Sequence, residues 1–302
     1  QFPQSVRNLA VPVIGVMIGA SITPEVAREM VGWWPSLLTL VPAAVALQMV
    51  NYAVLRNLGG YDRPTAFFAA SPGGLVEAAL LGEKEGGSPP LISLQHLCRI
   101  ALSVITIPLI FHFVIGQAVG SAAGAVFDAP KEPLNVTDTF VLVACGAVGL
   151  AIGKKLCLPA AIMVGPMLIS ALLHMTGLST ATVPQIIATA AQIAIGTVIG
   201  LRFAGQSRIA VLIGLRLAIL TVAVSMGLSG LVAWILSATG VADWKAIFLA
   251  FAPGGIAEMG LIAISLEISP IYVTTHHVVR IMIAVALSRI LFKALHRYFP
   301  VY

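Results

Sequence analysis

Two apolar stretches of this chain carry the same interruption: Pro72-Gly73-Gly74 followed by Glu77, and Pro253-Gly254-Gly255 followed by Glu258. The second lies in an apolar run spanning about 244–266, long enough to cross a bilayer as one helix. Proline removes a backbone donor and paired glycines give up helix propensity, so a plain helix through either motif is disfavoured. In lipid, the freed backbone groups must be satisfied by surrounding protein or by a water-filled cavity. The motif therefore points to helices that break inside protein.

The two copies stand 181 positions apart, the separation of Pro72 from Pro253, and the offset persists well beyond them. Residues 71–111 align with 252–292 without a gap, and twelve of the 41 positions are identical. His96/His277 and Arg99/Arg280 are among them. Upstream, the register holds for Pro3/Pro184, Gly15/Gly196, Gly19/Gly200, Gly59/Gly240, Asp62/Asp243 and Phe67/Phe248. Such self-similarity marks a duplicated architecture, with residues 1–121 as the first membrane repeat and 122–302 as the second. The second copy has two apolar segments before 183 for which the first has no room. Extrapolating the repeat places roughly 60 residues and two helices before Gln1.

Composition settles the broad class. Of 302 residues 59% are hydrophobic and 10% charged, against about 25% charged in soluble domains. The mean hydropathy is +1.00. A polytopic membrane protein follows, and a DNA-binding regulator is excluded. The net charge of +5 reads as cytoplasmic loops biased to Lys and Arg rather than as a nucleic-acid surface. Ten apolar segments are expected, at 3–22, 35–55, 65–81, 91–115, 139–151, 159–173, 183–203, 209–236, 245–266 and 271–295, with a charged linker at 127–138. Cys98, Cys145 and Cys157 show no CxxC spacing and read as packing residues.

Loop charge separates parallel from inverted repeats. Lys154-Lys155, Arg202 with Arg208, and Lys293, His296 and Arg297 mark cytoplasmic ends in the second copy. The first copy's counterpart of the Arg202/Arg208 loop carries Glu25, Arg28 and Glu29, and is net negative. Equivalent loops thus fall on opposite sides, as in inverted repeats. That pattern closes most simply if each Pro-Gly-Gly segment enters and leaves on the same side. Inverted repeats with interrupted helices at matching positions are the pattern of secondary transporters.

Each candidate residue has a functional and a structural reading. The N–H groups after the Gly-Gly pairs can hold an anion, or the glycines can serve a kink or close packing. Glu77 and Glu258 can carry a proton, a cation or a substrate contact. Alternatively, each folds back to cap its own half-helix. Arg99 and Arg280 stand three residues after His96 and His277, on the same helical face. They need a partner at this depth, either a glutamate or an anionic substrate. The histidines can relay protons or sit satisfied in the core. Asp62 and Asp243 read as helix N-caps, and Trp33-Trp34 as an interfacial pair. No third ligand at zinc spacing accompanies His276-His277, so no metal is expected.

Pro-Gly-Gly-x-x-Glu followed by His-x-x-Arg, present twice, resembles the AbrB-type bacterial membrane family with its duplicated membrane domain. Members carry labels such as regulator or ammonia monooxygenase. The second copy, with His276-His277, stands closer to the family pattern than the first, with Gln95-His96 and its charged Glu83-Lys84-Glu85 insert. The expected fold is an all-α polytopic membrane protein of two inverted-topology repeats, broken or re-entrant at the Pro-Gly-Gly motifs. The expected function is secondary-active transport of a small anionic or zwitterionic solute across the bacterial inner membrane. A coupling H+ or Na+ is possible. A homodimer in the lipid bilayer is expected, with no catalytic residues, no cofactor and no nucleic acid. A membrane-embedded sensor acting through a partner is the alternative, and an intramembrane oxidoreductase a more distant one.

Overall fold

The computed structural model describes residues 4–22, 24–116, 136–158, 160–201 and 207–298. These form thirteen α-helices, one 3-10 turn at Met30–Trp33 and, among the described residues, no strand. The helices are α1 (Gln4–Gly19), α2 (Pro24–Glu29), α3 (Trp34–Asn57), α4 (Arg63–Ala70), α5 (Leu75–Lys84), α6 (Pro89–Ile115) and α7 (Val136–Lys155). After these come α8 (Ala161–Met175), α9 (Gln185–Leu201), α10 (Arg208–Ser237), α11 (Trp244–Phe251), α12 (Ile256–Ser265) and α13 (Pro270–Tyr298). Among the described residues, five stretches are long and apolar enough to cross a membrane, at Val26–Asn57, Pro89–Phe113, Val136–Lys155, Arg208–Ser237 and Pro270–Ser288. The chain is an all-helical polytopic membrane protein. Each expected apolar segment holds a helix, and the two Pro-Gly-Gly segments each hold two short ones. The linker expected at 127–138 lies outside the described residues as far as 135, and so does Arg202.

The chain divides into two compact units that draw on both of its halves. The first comprises Gln1–Trp34, Ile107–Arg202 and Ile256–Thr275. Its packing depends on small residues. Gly15 and Gly19, one turn apart on α1, lie so close to Met163 and Met167 of α8 that any β-carbon would strike a carbonyl oxygen. The Ser170 hydroxyl pins the contact by donating to the Val16 carbonyl (2.8 Å). Gly149 and Gly153 of α7 admit Gly165 and Pro166 of α8 in the same way. With no hydrophobic drive between helices in lipid, close backbone approach of this kind supplies the attraction. Trp33 is buried edge-on against Tyr272 at 5.1 Å, whereas Trp34 is exposed, so only one of the pair faces outward.

The second unit comprises Pro35–Thr106, Phe203–Gly255 and His276–Tyr302. Its core is an aromatic cluster: Phe67 and Phe68 of α4 meet Phe292 of α13 at 5.2 and 5.4 Å. Leu55, Ile92 and Leu217 close around them. Buried polar contacts run through this apolar body, among them Asn51 of α3 on Ser225 of α10 (3.3 Å). Cys98 and Cys145 are buried free thiols, as packing residues should be, but Cys157 is exposed in the turn after α7.

Candidate functional site

The first Pro-Gly-Gly motif is the tip of a hairpin. Helix α4 has eight residues and α5 ten. At about 1.5 Å per residue each reaches only about 12–15 Å, no more than half a core of roughly 30 Å. The two ends of the hairpin meet. Asp62 caps α4 by accepting from the Thr65 N–H (2.8 Å) and hydroxyl (2.7 Å). The Thr65 hydroxyl in turn accepts from the Ser88 N–H (2.8 Å), just beyond α5. The β-carbon position of Gly82 on α5 touches Phe68 of α4 and Ile92 of α6. The two half-helices therefore double back on each other around the motif.

At the tip, Pro72 is buried and Gly73 and Gly74 are half-buried. Gly73 packs on α13, where an added β-carbon would lie 3.0 Å from that of Ala284. Glu77 folds back so that its carboxylate lies over Gly74, the N-cap of α5. An anionic side chain at a helix N-terminus offsets the positive end of the backbone dipoles. This is the local reading of Glu77.

The arginines bind backbone. Arg99 donates from Nη1 to the Ser71 carbonyl (2.9 Å) at the end of α4. Arg280 donates from Nη1 to the carbonyls of Ala252 (2.7 Å) and Phe251 (3.3 Å), and from Nη2 to that of Gly254 (3.3 Å). Each guanidinium thus closes the C-terminal end of the half-helix before its break, where carbonyls lack intrahelical partners. Arg99 thus bonds a carbonyl here rather than a glutamate, one of the two partners expected for it. Arg99 and Arg280 are both buried and lie within electrostatic reach of each other. A cavity of about 10 Å3 opens beside Arg280, Ser229 and Phe251, room for about one water.

His277 supports the second latch. Its Nε2 meets the Leu249 carbonyl (3.1 Å), which can only accept, so the proton sits there. Its Nδ1 is then the acceptor for Arg280 Nη2 (2.9 Å). Both ring nitrogens are occupied, the disposition of a satisfied core histidine. His276 meets the Ser36 hydroxyl (2.8 Å). In the first copy, His96 Nδ1 bonds the Ile92 carbonyl of its own helix (3.0 Å).

Of the residues singled out by sequence, Pro72, Gly73, Gly74, Glu77, His96, Arg99, Pro253, Gly254, Gly255, His277 and Arg280 fall in one compact unit. Glu258, half-buried in the first turn of α12, belongs to the other. Asp243 occupies the N-cap position of α11 but makes no cap hydrogen bond. Sequence reasoning missed Thr65 and Ser71; the Asp-x-x-Thr spacing of a capped start was the available signal for the first. Among the described residues, no three His, Cys, Asp or Glu side chains gather as a metal site.

Comparison with known proteins agrees with the motif. A Bacillus subtilis (strain 168) protein, "Uncharacterized protein YhjN", is 27% identical over an alignment covering 94% of this chain and 77% of its own length. An Escherichia coli (strain K12) protein, "Putative regulator AbrB", is 24% identical, with 87% and 75% covered. The family model described as "Transition state regulatory protein AbrB" matches residues 1–296. On that near-complete match, the chain belongs to the AbrB family.

Proposed function

We propose that the protein is a secondary-active transporter that moves a small anionic or zwitterionic organic solute across the bacterial inner membrane by alternating access. The observation that carries this reading is the α4–α5 hairpin, whose Pro72-Gly73-Gly74 tip is held by buried Arg99, with buried Arg280 in electrostatic reach. Non-helical backbone at membrane depth is tolerated where it is buried in protein or lines a cavity. Paired interrupted helices in duplicated halves are the arrangement that transporters use for a central site. The two copies, 1–121 and 122–302, would act as inverted repeats, and Glu258 would handle the coupling cation or a substrate amine. The reading assigns no catalytic step to the chain.

The test is uptake into proteoliposomes under an imposed proton or sodium gradient. Glu258→Gln is expected to abolish or uncouple uptake while the protein still inserts. Unchanged uptake with unchanged pH and sodium dependence would confine Glu258 to its helix end. The names of the family and of the E. coli relative favour a second reading, a membrane-embedded sensor acting through a partner. That reading expects no gradient-driven uptake for any solute and a co-purifying effector protein.

A further inference from the structure

The two copies of the His-Arg turn differ in what they leave unsatisfied. In the second copy, His276 bonds Ser36, His277 uses both ring nitrogens, and Arg280 makes four hydrogen bonds. In the first, the position of His276 is taken by Gln95, whose side chain is 1% exposed and whose Oε1 and Nε2 both lack a partner. One turn further along α6, on the same face, Arg99 is 7% exposed and makes a single hydrogen bond, to the Ser71 carbonyl. Its Nε is without an acceptor, as is that of Arg280, so the copies differ at the Gln95 amide and in the number of bonds each guanidinium makes. His96 Nε2 faces the Ser71 carbonyl without bonding to it.

A buried amide with neither donor nor acceptor matched is costly in any interior, and more so within a bilayer. Buried groups left open in this way call for an explanation. Gln95 offers one N–H face and one carbonyl face, so its complement must both accept and donate. Arg99, with Arg280 in electrostatic reach, adds a demand for negative charge. A carboxylate binds a guanidinium more strongly than a backbone carbonyl does, because the hydrogen bond is charge-assisted.

We propose that Gln95 and Arg99 form the binding subsite for a small organic acid that carries its own hydrogen-bond donor, a hydroxy or amino acid. Its carboxylate replaces the Ser71 carbonyl on Arg99, and its donor and neighbouring oxygen satisfy the Gln95 amide. The second copy is the fixed counterpart, held by four bonds where the first is held by one. Loss of the Ser71 contact frees the tip at Pro72-Gly73-Gly74, so ligand binding and movement of the hairpin are one event. This assignment rests on the transport reading and names its substrate class.

Propionate and lactate are anions on one carbon skeleton that differ only in the hydroxyl donor, and alanine carries an ammonium donor that also cancels its net charge. Their binding to protein in nanodiscs, by calorimetry without any gradient, is the test. Lactate or alanine is expected to bind at least about tenfold tighter than propionate, since a site built for a donor rejects an analogue lacking it. Gln95→Leu is expected to erase that preference without lowering the unfolding midpoint, because it removes an unpartnered amide. Gln95→Asn, which keeps the amide, reads the same preference should the leucine variant not fold. Equal binding of all three acids, no binding of any, or a preference that survives Gln95→Leu overturns the assignment. Gradient-driven uptake without the preference leaves transport standing and removes the subsite. Preference without uptake does the reverse.

Discussion

The guanidinium of Arg280 holds the carbonyls of Phe251, Ala252 and Gly254 and is itself held by His277. Removing it leaves carbonyls orphaned in an apolar body. Arg280→Met is therefore expected to cost about 3 kcal/mol or more and to lower the unfolding midpoint in detergent sharply. Arg280→Lys keeps the charge but not the planar fork, and should recover only part of the loss. The His-x-x-Arg spacing made these residues visible in the sequence. Their partners were not legible, because carbonyls carry no residue-type signature and a buried arginine invites a search for an acid. Gln95 is hidden in the same way: in sequence it is a departure from the motif, and only its buried, unpartnered amide sets it apart. Whether a polar side chain is satisfied depends on neighbours distant in sequence, and spacing is silent on that.

Among the elements, the α4–α5 hairpin was the most legible. Proline and paired glycine mark a break by chemistry alone, and loop charge is met most simply by a return to the same side. What closes the hairpin is Thr65, which holds Asp62 and Ser88 together. Thr65→Val keeps the shape and removes both hydroxyl bonds. It is expected to cost about 2 kcal/mol and to speed hydrogen exchange at both ends of the hairpin. At the tip, Gly73→Ala brings a β-carbon to 3.0 Å from that of Ala284. A penalty of about 1–3 kcal/mol is expected from such overpacking, and Ala284→Gly in the same chain should relieve most of it. Gly15→Ala meets the Met163 carbonyl instead, and no side-chain change can clear backbone. Thermal unfolding of the single and double variants checks both expectations.

Across the whole molecule, the homodimer remains a proposal, and α10 carries the small residues that can test it. Of the small residues on α10, Gly214 is filled by Leu94 and Cys98, and Ser225 and Ser229 are buried within the chain. Gly227 and Gly230 have open space where a β-carbon would go, with Leu231 and Trp234 exposed nearby. Gly227→Leu is accordingly expected to leave the unfolding midpoint unchanged and to shift mass measured in mild detergent from dimer to monomer. A monomeric parent protein that transports at full rate would remove the dimer. The hairpin also constrains the order of synthesis. Neither α4 nor α5 can be inserted by the translocation machinery as a span, being too short. The arginine that closes the tip arrives only with α6. A nascent chain released before Arg99 should thus leave residues 63–84 at the membrane surface, open to protease. Protection should begin only once α6 has been made, so the candidate site is assembled after its supporting helix and never ahead of it.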